Sequence, residues 1–468
     1  GRTNHWGRIS LRFGPKDFKR RSIDGLGDDW PIGYEDIKPY YDKIDQLIGV
    51  FGTNEGLEND PDGYFLPPPK PRLHELMIRK GAEHSGVKVI PSRLSILTKA
   101  IKNDAGRGVC FYCGQCNRNC SYAKADFSST NVLIFPALAT GNVDLITNAM
   151  VREVLTNKEG LATGVSYVNK LELTEHQVQG RVVILGASAC ESARLLLNST
   201  STRHPNGLAN SSNVVGKYLH DSTGAAMGGI LPSLFGRKRY NEDGVGGAHI
   251  YSPWWLDNKN LNFPRGYHIE VWGGMGSPSY GSGFNVNDLN KFFGIKVGGY
   301  GDMLRTDMRK YYGTVLGMDG RGESIAMESN YCEIDPDKVD EFGVPVLRFN
   351  YKWSNHEVNQ AKHMQDTFEE IIHNMGAIAL GDKPGKDRNY GLTKPGEIIH
   401  EVGTTRMGSD PKTSVVNEFE QLHDVSNVFV VDAGPFVSQA DKNPTWTIMA
   451  LAWRTSDYIV DQFKKQNF

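Results

Sequence analysis

The chain has 468 residues, enough for two or three domains and a substantial buried core. Lys plus Arg (52) and Asp plus Glu (54) nearly cancel, giving −2, and no basic stripe supports nucleic-acid binding. No run of 18 apolar residues exists, so no transmembrane segment of its own is expected, and no export signal is visible.

Gly1-Arg-Thr-Asn-His-Trp-Gly7 reads as a turn with no strand before it. Ile37, Tyr41, Ile44 and Ile48 fall at helical spacing over 34–48, with Pro39 expected in the first turn. Residues 49–72 are rich in Gly, Asp and Pro and read as a long surface loop or lid. A helix is expected over Leu73 to Ala82 and a short strand over Val87 to Ile90.

Cys110, Cys113, Cys116 and Cys120 follow with the spacing Cys-x2-Cys-x2-Cys-x3-Cys, which is that of a bacterial-ferredoxin run except that Ser121 stands where Pro is usual. An iron–sulfur cluster ([3Fe–4S] or [4Fe–4S]), a four-cysteine zinc site, two local disulfides and free thiols are the readings open here. Lys99, Lys102 and Arg107 would offset thiolate charge. Cys190 and Cys332 read as buried thiols.

Strands are expected at Gly164–Val168 and Arg181–Leu185, the second turning through Gly186-Ala187-Ser188 into a helix from Cys190 to Asn198. A glycine turn feeding a helix N-terminus suits a pyrophosphate. Residues 223–350 alternate short apolar runs with Gly-rich turns, as an antiparallel sheet does. Trp254, Trp255, Tyr267, Trp272 and Tyr280 supply aromatic surface of a kind that stacks on sugar rings, with ordinary sheet core the other reading and the better one for any single aromatic, and Gly273 to Gly301 reads as a mobile substrate loop. Val358, Ala361, Met364, Phe368, Ile372 and Met375 mark an amphipathic helix ending at Gly376, and 377–399 reads as a linker with four glycines.

The C-terminal part is the most informative. His400-Glu-Val-Gly-Thr-Thr-Arg-Met-Gly408 is followed by a buried strand ending Val430-Val-Asp-Ala-Gly434. Asn443-Pro-Thr-Trp-Thr-Ile-Met-Ala-Leu-Ala452 then opens an apolar helix, with Asn443 at the N-cap, Ser438 or Asp441 sharing the capping, and Pro444 at the first helical position. Such a helix start favours an anion or an electron-rich ring above it.

The spacing His-x-x-Gly-Thr, the strand ending Val-Val-Asp-Ala, and Asn-Pro-x-x-Thr-Ile-Met-Ala-Leu-Ala resemble the C-terminal signature of the GMC (glucose–methanol–choline) flavoprotein oxidoreductases. The likeness is nearest to the large subunits of cytochrome-linked sugar dehydrogenases and to pyranose oxidases, and it covers nearly all of the chain. It implies an α/β (α+β) fold: a Rossmann-like FAD-binding domain over 1–30, 96–222 and 399–468, a lid or connecting segment over 31–95, and a substrate domain over 223–398 built on an antiparallel sheet covered by helices. Members begin with strand, Gly-x-Gly-x-x-Gly and helix. None is placed that way here, so the first βαβ unit is read as missing.

By the same resemblance His400 is the base and Asn443 holds the substrate hydroxyl. Asn4, His5, Trp6, Val151, Gly186, Ala187, Asp432, Ala433, Pro444 and Thr445 contact FAD, with His5 at the position that carries a covalent flavin link in some members. Cys110, Cys116 and Cys120 match cluster ligands of the cytochrome-linked enzymes, with Cys113 as a fourth. The implied activity is FAD-dependent oxidation of a sugar or glycoside hydroxyl, preferably at C3 of a glucoside, with electrons leaving through the cluster. A small companion subunit, a cytochrome c-type acceptor and a periplasmic or membrane-associated place in a bacterium (otherwise cytoplasmic) go with it. The alternatives are a gluconate 2-dehydrogenase-like enzyme, an oxygen-using oxidase of the same fold, and a flavin-less binding subunit.

Overall fold

A computed structural model describes residues 2–102, 106–112, 120, 123–237, 248–254, 261–273, 300–311 and 313–468. The expectations placed on Gly1, Cys113, Cys116, Trp255, Tyr280 and most of the Gly273–Gly301 loop lie outside these residues.

The fold mixes helix and sheet around two large apolar cores. The first gathers the N-terminal segment, the Tyr34–Ile48 helix and the C-terminal helix Thr445–Lys464. Those helices are cross-linked by the Tyr41 hydroxyl to Thr447 Oγ1 at 2.7 Å and by Trp446 Nε1 donating to Asp45 Oδ1 at 2.9 Å. Pro39 sits in the second turn of its helix rather than the first. The lost backbone bond is tolerated because Tyr34, Ile37, Tyr41, Ile44 and Ile48 are buried along one face and hold the helix from outside.

Val183–Leu185 pairs in parallel with Val428–Val430 and feeds the helix Ala189–Asn198. Parallel pairing between segments so far apart in sequence is the Rossmann-like part of the fold. Beside it lies an antiparallel sheet of Ala149–Thr156, Ala162–Asn169 and Glu175–Gln179.

The second core lies under a six-stranded antiparallel sheet in the order Ile378–Leu380, Thr223–Ile230, Val315–Gly322, Tyr267–Gly273, Ile250–Ser252, Ile90–Pro91. One face packs on the helix Asn355–Asn374, whose start is closed by a capping box between Ser354 and Glu357. Helix Leu73–His84 packs beside it so closely that a Cβ on Gly81 would meet Ile371 O at 2.7 Å.

Two expectations change. Residues 49–72 are an anchored segment, not a lid: Val50–Phe51 pairs with Phe65–Leu66, and buried Asp60 is bound by Arg93 at 2.6 Å. Residues 377–399 are not only a linker, because Ile378–Leu380 forms an edge strand on Thr223–Ile230. In both places Gly and Pro mark the turns, while the short paired stretches between them carry no pattern long enough to read.

Candidate active site

Three C-terminal turns converge where the sheet meets the Rossmann-like part. Gly403 N donates to Ala433 O at 3.1 Å and Thr405 N to Gly434 O at 2.9 Å, which brings the His400 turn beside the strand ending at Asp432. Asp221 sets the His400 turn itself: Oδ1 accepts from His400 N at 2.9 Å and from Ser222 N at 2.8 Å, and Oδ2 from Gly396 N at 3.1 Å. Burial, then nearby Glu401, push the Asp221 carboxyl up to about 7 against those three donors. Ile399, just before the histidine, has φ +61°, a left-handed conformation costly for a β-branched residue. Its carbonyl is held by Arg2 Nη1 at 2.8 Å.

His400 is half-buried, and burial pushes its imidazole down to about 3. Glu270 opposes that shift, while Arg321, His268 and Arg2 add to it. Nδ1 faces Ser222 Oγ at 3.1 Å, and that hydroxyl also accepts from Gln439 Nε2 at 2.8 Å. Nε2 lies 3.4 Å from Asn443 Nδ2. An amide N–H on that side leaves Nε2 unprotonated, so the hydrogen sits on Nδ1 and the lone pair faces Asn443.

Asn443 does not cap its helix. The helix is assigned from Thr445, Pro444 already has helical dihedrals (φ −75°, ψ −21°), and no side-chain cap bond forms. Ser438 and Asp441 do not cap either: Ser438 joins Trp30 and the Asp17 carbonyl, and Asp441 pairs with Lys442. The Asn443 amide is turned instead by Glu270, whose Oε1 accepts from Nδ2 at 3.1 Å. That leaves Oδ1 of Asn443 buried without a partner. A buried acceptor without a donor costs free energy unless a ligand hydrogen supplies it.

Glu270, Ser222, Gln439, Asp221, His268, Asp319 and Arg321 were not singled out from the sequence. Along Tyr267–Gly273, Tyr267, Ile269 and Val271 face the core, so His268, Glu270 and Trp272 face the other way. That period of two, with polar residues on one side, is the signal that was available. Across the register Glu270 stands opposite Asp319. Arg321 lies between them, its Nε 3.6 Å from Glu270 and its Nη2 3.4 Å from Asp319. Burial works against an ionised Glu270, but Arg321, His268 and His400 outweigh it and hold the carboxyl well below its ordinary range. Asp319 is raised, mainly by burial. His268 Nδ1 is bonded to the Asp441 carbonyl, which ties the sheet to the turn before Asn443.

This face opens on a cavity of about 520 Å³, lined among others by Gly7, Ser92, Arg93, Tyr251, His268, Glu270, Trp272 and Asp319. Trp272 lies flat across Gly317, where any Cβ would strike the indole.

The cofactor-side residues fall in two groups. Asn4, His5 and Trp6 form a loop against 127–130, with Trp6 Nε1 on Phe127 O at 3.0 Å and Thr130 Oγ1 on Asn4 Oδ1 at 3.1 Å. Arg2, bound to Ile399 O and Glu401, brings this loop to the His400 turn, and His5 is exposed. Gly186 and Ala187 are exposed at the turn into the Ala189–Asn198 helix. Asp432 braces that turn, accepting from Ser188 N at 3.1 Å, Ser192 Oγ and Gly434 N at 2.7 Å. Val151 lies half-buried on Ala149–Thr156, Ala433 is buried beside Asp432, and Pro444 and Thr445 start the C-terminal helix. Exposed backbone at a helix start between these elements fits the phosphates and ring of FAD.

Cys110 and Cys120 are half-buried against one apolar cluster with Leu94, Ile96 and Leu97. Arg107 is not posed simply as a counter-charge: its guanidinium donates to the carbonyls of Ile48, Lys124 and Ala125. Among the described residues no three His, Cys, Asp or Glu gather as a metal site. Cys332 is buried and Cys190 half-buried; burial raises both thiols, Cys332 to about 12. Among the described residues no helix is long and apolar enough to cross a membrane.

Known proteins similar to this chain point to one family. Two family models, both described as GMC oxidoreductase, match residues 30–223 and 328–452. The chain is 30% identical over 469 residues to 2-methyl-1,2-propanediol dehydrogenase of Mycolicibacterium austroafricanum, covering 99% of this chain and 80% of that protein. It is 26% identical to the gluconate 2-dehydrogenase flavoprotein of Pantoea cypripedii, covering 98% and 78%. The crystal structure of pyridoxine 4-oxidase from Mesorbium loti shares the fold with a TM-score of 0.59 at 16% identity, covering 96% of this chain and 82% of that one.

Proposed function

The chain belongs to the GMC oxidoreductases, enzymes that act on CH–OH groups with FAD, and from that premise we propose that it is a dehydrogenase for a hydroxyl of a sugar or glycoside. The observation that carries this reading is the pair His400 Nε2 and Asn443 Nδ2, 3.4 Å apart beside a cavity of about 520 Å³. Bound FAD would supply the hydride acceptor. His400 takes the hydroxyl proton at Nε2, which is neutral and open at ordinary pH because burial disfavours the imidazolium. The hydroxyl enters between the two side chains and replaces their 3.4 Å contact, so that the Asn443 N–H not bonded to Glu270 donates to the hydroxyl oxygen as its bond to hydrogen breaks. Glu270 offsets the positive charge that His400 gains, and Ser222 holds the ring in place.

In this reading residues 1–30, 96–222 and 399–468 carry the cofactor and 223–398 the substrate. Asn4, His5 and Trp6 lie along the flavin ring, Gly186 and Ala187 near the pyrophosphate, Val151 near the adenine, and Asp432, Ala433, Pro444 and Thr445 between them. Oxidation at C3 of a glucoside is the preferred regiochemistry. Cys110, Cys113, Cys116 and Cys120 hold an iron–sulfur cluster that passes electrons to a cytochrome c-type acceptor, with a small companion subunit, in the periplasm or at a membrane.

Anaerobic mixing of the flavin-loaded protein with a panel of sugars and glycosides tests the reading. Sugar-dependent bleaching, dye reduction under nitrogen and little peroxide in air are expected, with iron and acid-labile sulfide in the purified protein. Peroxide release at the dye rate without iron would return the oxygen-using oxidase to the front. Absence of bleaching by any sugar would end the sugar-dehydrogenase reading.

A further inference from the structure

Most polar side chains that line the cavity are taken up within the protein. Arg93 is buried and donates to Asp60 Oδ1 at 2.6 Å, Asp60 O at 3.0 Å and Pro61 O at 2.8 Å. The Tyr251 hydroxyl is bonded to the other oxygen of Asp60. His268 is held by the Asp441 carbonyl and lies 3.4 Å from Glu270 Oε1. Glu270 accepts from Asn443 Nδ2 at 3.1 Å, and Asp319 meets the Trp272 indole and Arg321. Ser92 is the remaining polar side chain among the described lining residues. The rest of that lining is apolar. Ile9 bridges Leu94 and packs with Leu11 against Tyr251, which makes one continuous apolar wall. Ala248, Val271 and the Trp272 indole extend it. A pyranose carries a hydroxyl on most of its carbons, and each one buried without a partner costs free energy. One serine does not satisfy such a ring. The open polar groups lie instead at Asn443, whose Oδ1 is buried without a partner, and at His400 Nε2 beside it.

We propose that this apolar wall and the Trp272 indole bind the aglycone of a glycoside, an aryl or other apolar group, while the sugar ring lies at His400 and Asn443. The inference rests on the sugar-dehydrogenase reading and narrows its substrate class to glycosides with an apolar aglycone, taken over free sugars. Glu270 joins the two parts, since it lines the cavity and its Oε1 holds Asn443 Nδ2 at 3.1 Å. An aglycone on the ring that carries the reacting carbinol therefore reaches the cavity. Apolar surface removed from water on both sides drives its binding in proportion to area, and an aromatic ring also gains from packing on the indole. A charged aglycone would lose its hydration against aliphatic side chains and find no free counter-charge, because Arg93 is already engaged.

The test compares phenyl β-glucoside, methyl β-glucoside, glucose and carboxyphenyl β-glucoside on the flavin-loaded full chain. Dissociation constants come from perturbation of the flavin spectrum and rates from anaerobic bleaching. The phenyl glucoside should bind roughly 10–10²-fold more tightly than the methyl glucoside, as burial of one aromatic ring gives. The carboxyphenyl glucoside should lose that gain. Ala248→Leu fills the cavity and should bring the phenyl-to-methyl affinity ratio toward one. Ile9→Ala strips the wall and should lower the same ratio severalfold. Unchanged flavin content and melting temperature certify each variant, and the unmutated protein decides the outcome if neither folds. Equal affinity for the phenyl and methyl glucosides, a carboxyphenyl glucoside bound as tightly as the phenyl one, or an unchanged ratio in a folded variant overturns the proposal. Bleaching by sugars without an aglycone preference leaves the dehydrogenase reading standing and removes only this inference, whereas no bleaching by any probe removes the reading beneath it.

Discussion

The two sides of the cavity are built by different means. On the cofactor side, His400, Asp432 and Asn443 sit within 44 residues of one another in sequence, on turns closed by backbone bonds such as Gly403 N to Ala433 O at 3.1 Å. On the substrate side, Glu270, Asp319 and Arg321 owe their meeting to strand alternation and register alone. Backbone geometry demands particular residue types at particular spacings, whereas a strand face accepts almost any side chain. On the proposed function the cofactor side would carry the chemistry common to the family, and the sheet face would set specificity.

The largest test of that division is His400→Ala. It should lower flavin reduction by roughly 10²–10⁴ with flavin content and sugar affinity retained. In the unmutated protein burial pushes His400 down to about 3 from 6.5, so its neutral form is already complete above about pH 5. Reduction should then be flat from pH 5 to 8 on this account. A variant that reduces flavin at the full rate would exclude His400 as the base, and an acid limb near the ordinary histidine value would overturn its burial-driven neutrality.

A middle-sized effect belongs to the other wall. Gly317→Ala places a methyl under the Trp272 indole and forces the ring into the cavity. Overpacking of this kind costs about 1–3 kcal/mol of stability, read as a lower melting temperature, and the displaced ring should weaken sugar binding with the flavin spectrum unchanged. If flavin reduction by saturating sugar collapsed instead, the two walls would not be separable.

How much was legible follows the same line. Helix 34–48, the Asn355–Asn374 helix and the antiparallel character of 223–350 were readable because long periodic patterns specify them. His400 and Asn443 stand out only through the family resemblance of their motifs, and the structure brings Nε2 and Nδ2 within 3.4 Å. The Asn443 cap was misread: Asn is a good N-cap by propensity, but Glu270 competes for its amide across 173 positions of sequence. The same long range hid Asp221, 179 positions from the His400 N–H it accepts. The 49–72 segment reads as a surface loop or lid from its composition, and its anchoring is hidden because buried Asp60 looks like any loop aspartate until Arg93 is seen against it.

The smallest expected effect concerns Asp221, where the cofactor-side turn depends on a side chain after all. Burial and Glu401 raise its carboxyl from 3.8 to about 7, so the folded chain binds that proton more tightly than the unfolded chain. Between about pH 4 and 7 the native state therefore holds more protons, and this group's contribution to stability is greatest below pH 4 and is lost as pH rises through 7. Asp221→Asn keeps an oxygen for the His400 and Ser222 N–H groups but removes the titration. Melting temperature measured from pH 5 to 8 should fall less steeply in the variant, by on the order of 1–3 °C across the range. Flavin reduction should drop modestly, because the His400 turn keeps its acceptor. A variant with the same slope would show that Asp221 stays ionised when buried, held by its three backbone donors alone. A loss as large as that of His400→Ala would show that the carboxylate itself, and not only its place in the turn, holds the base in position.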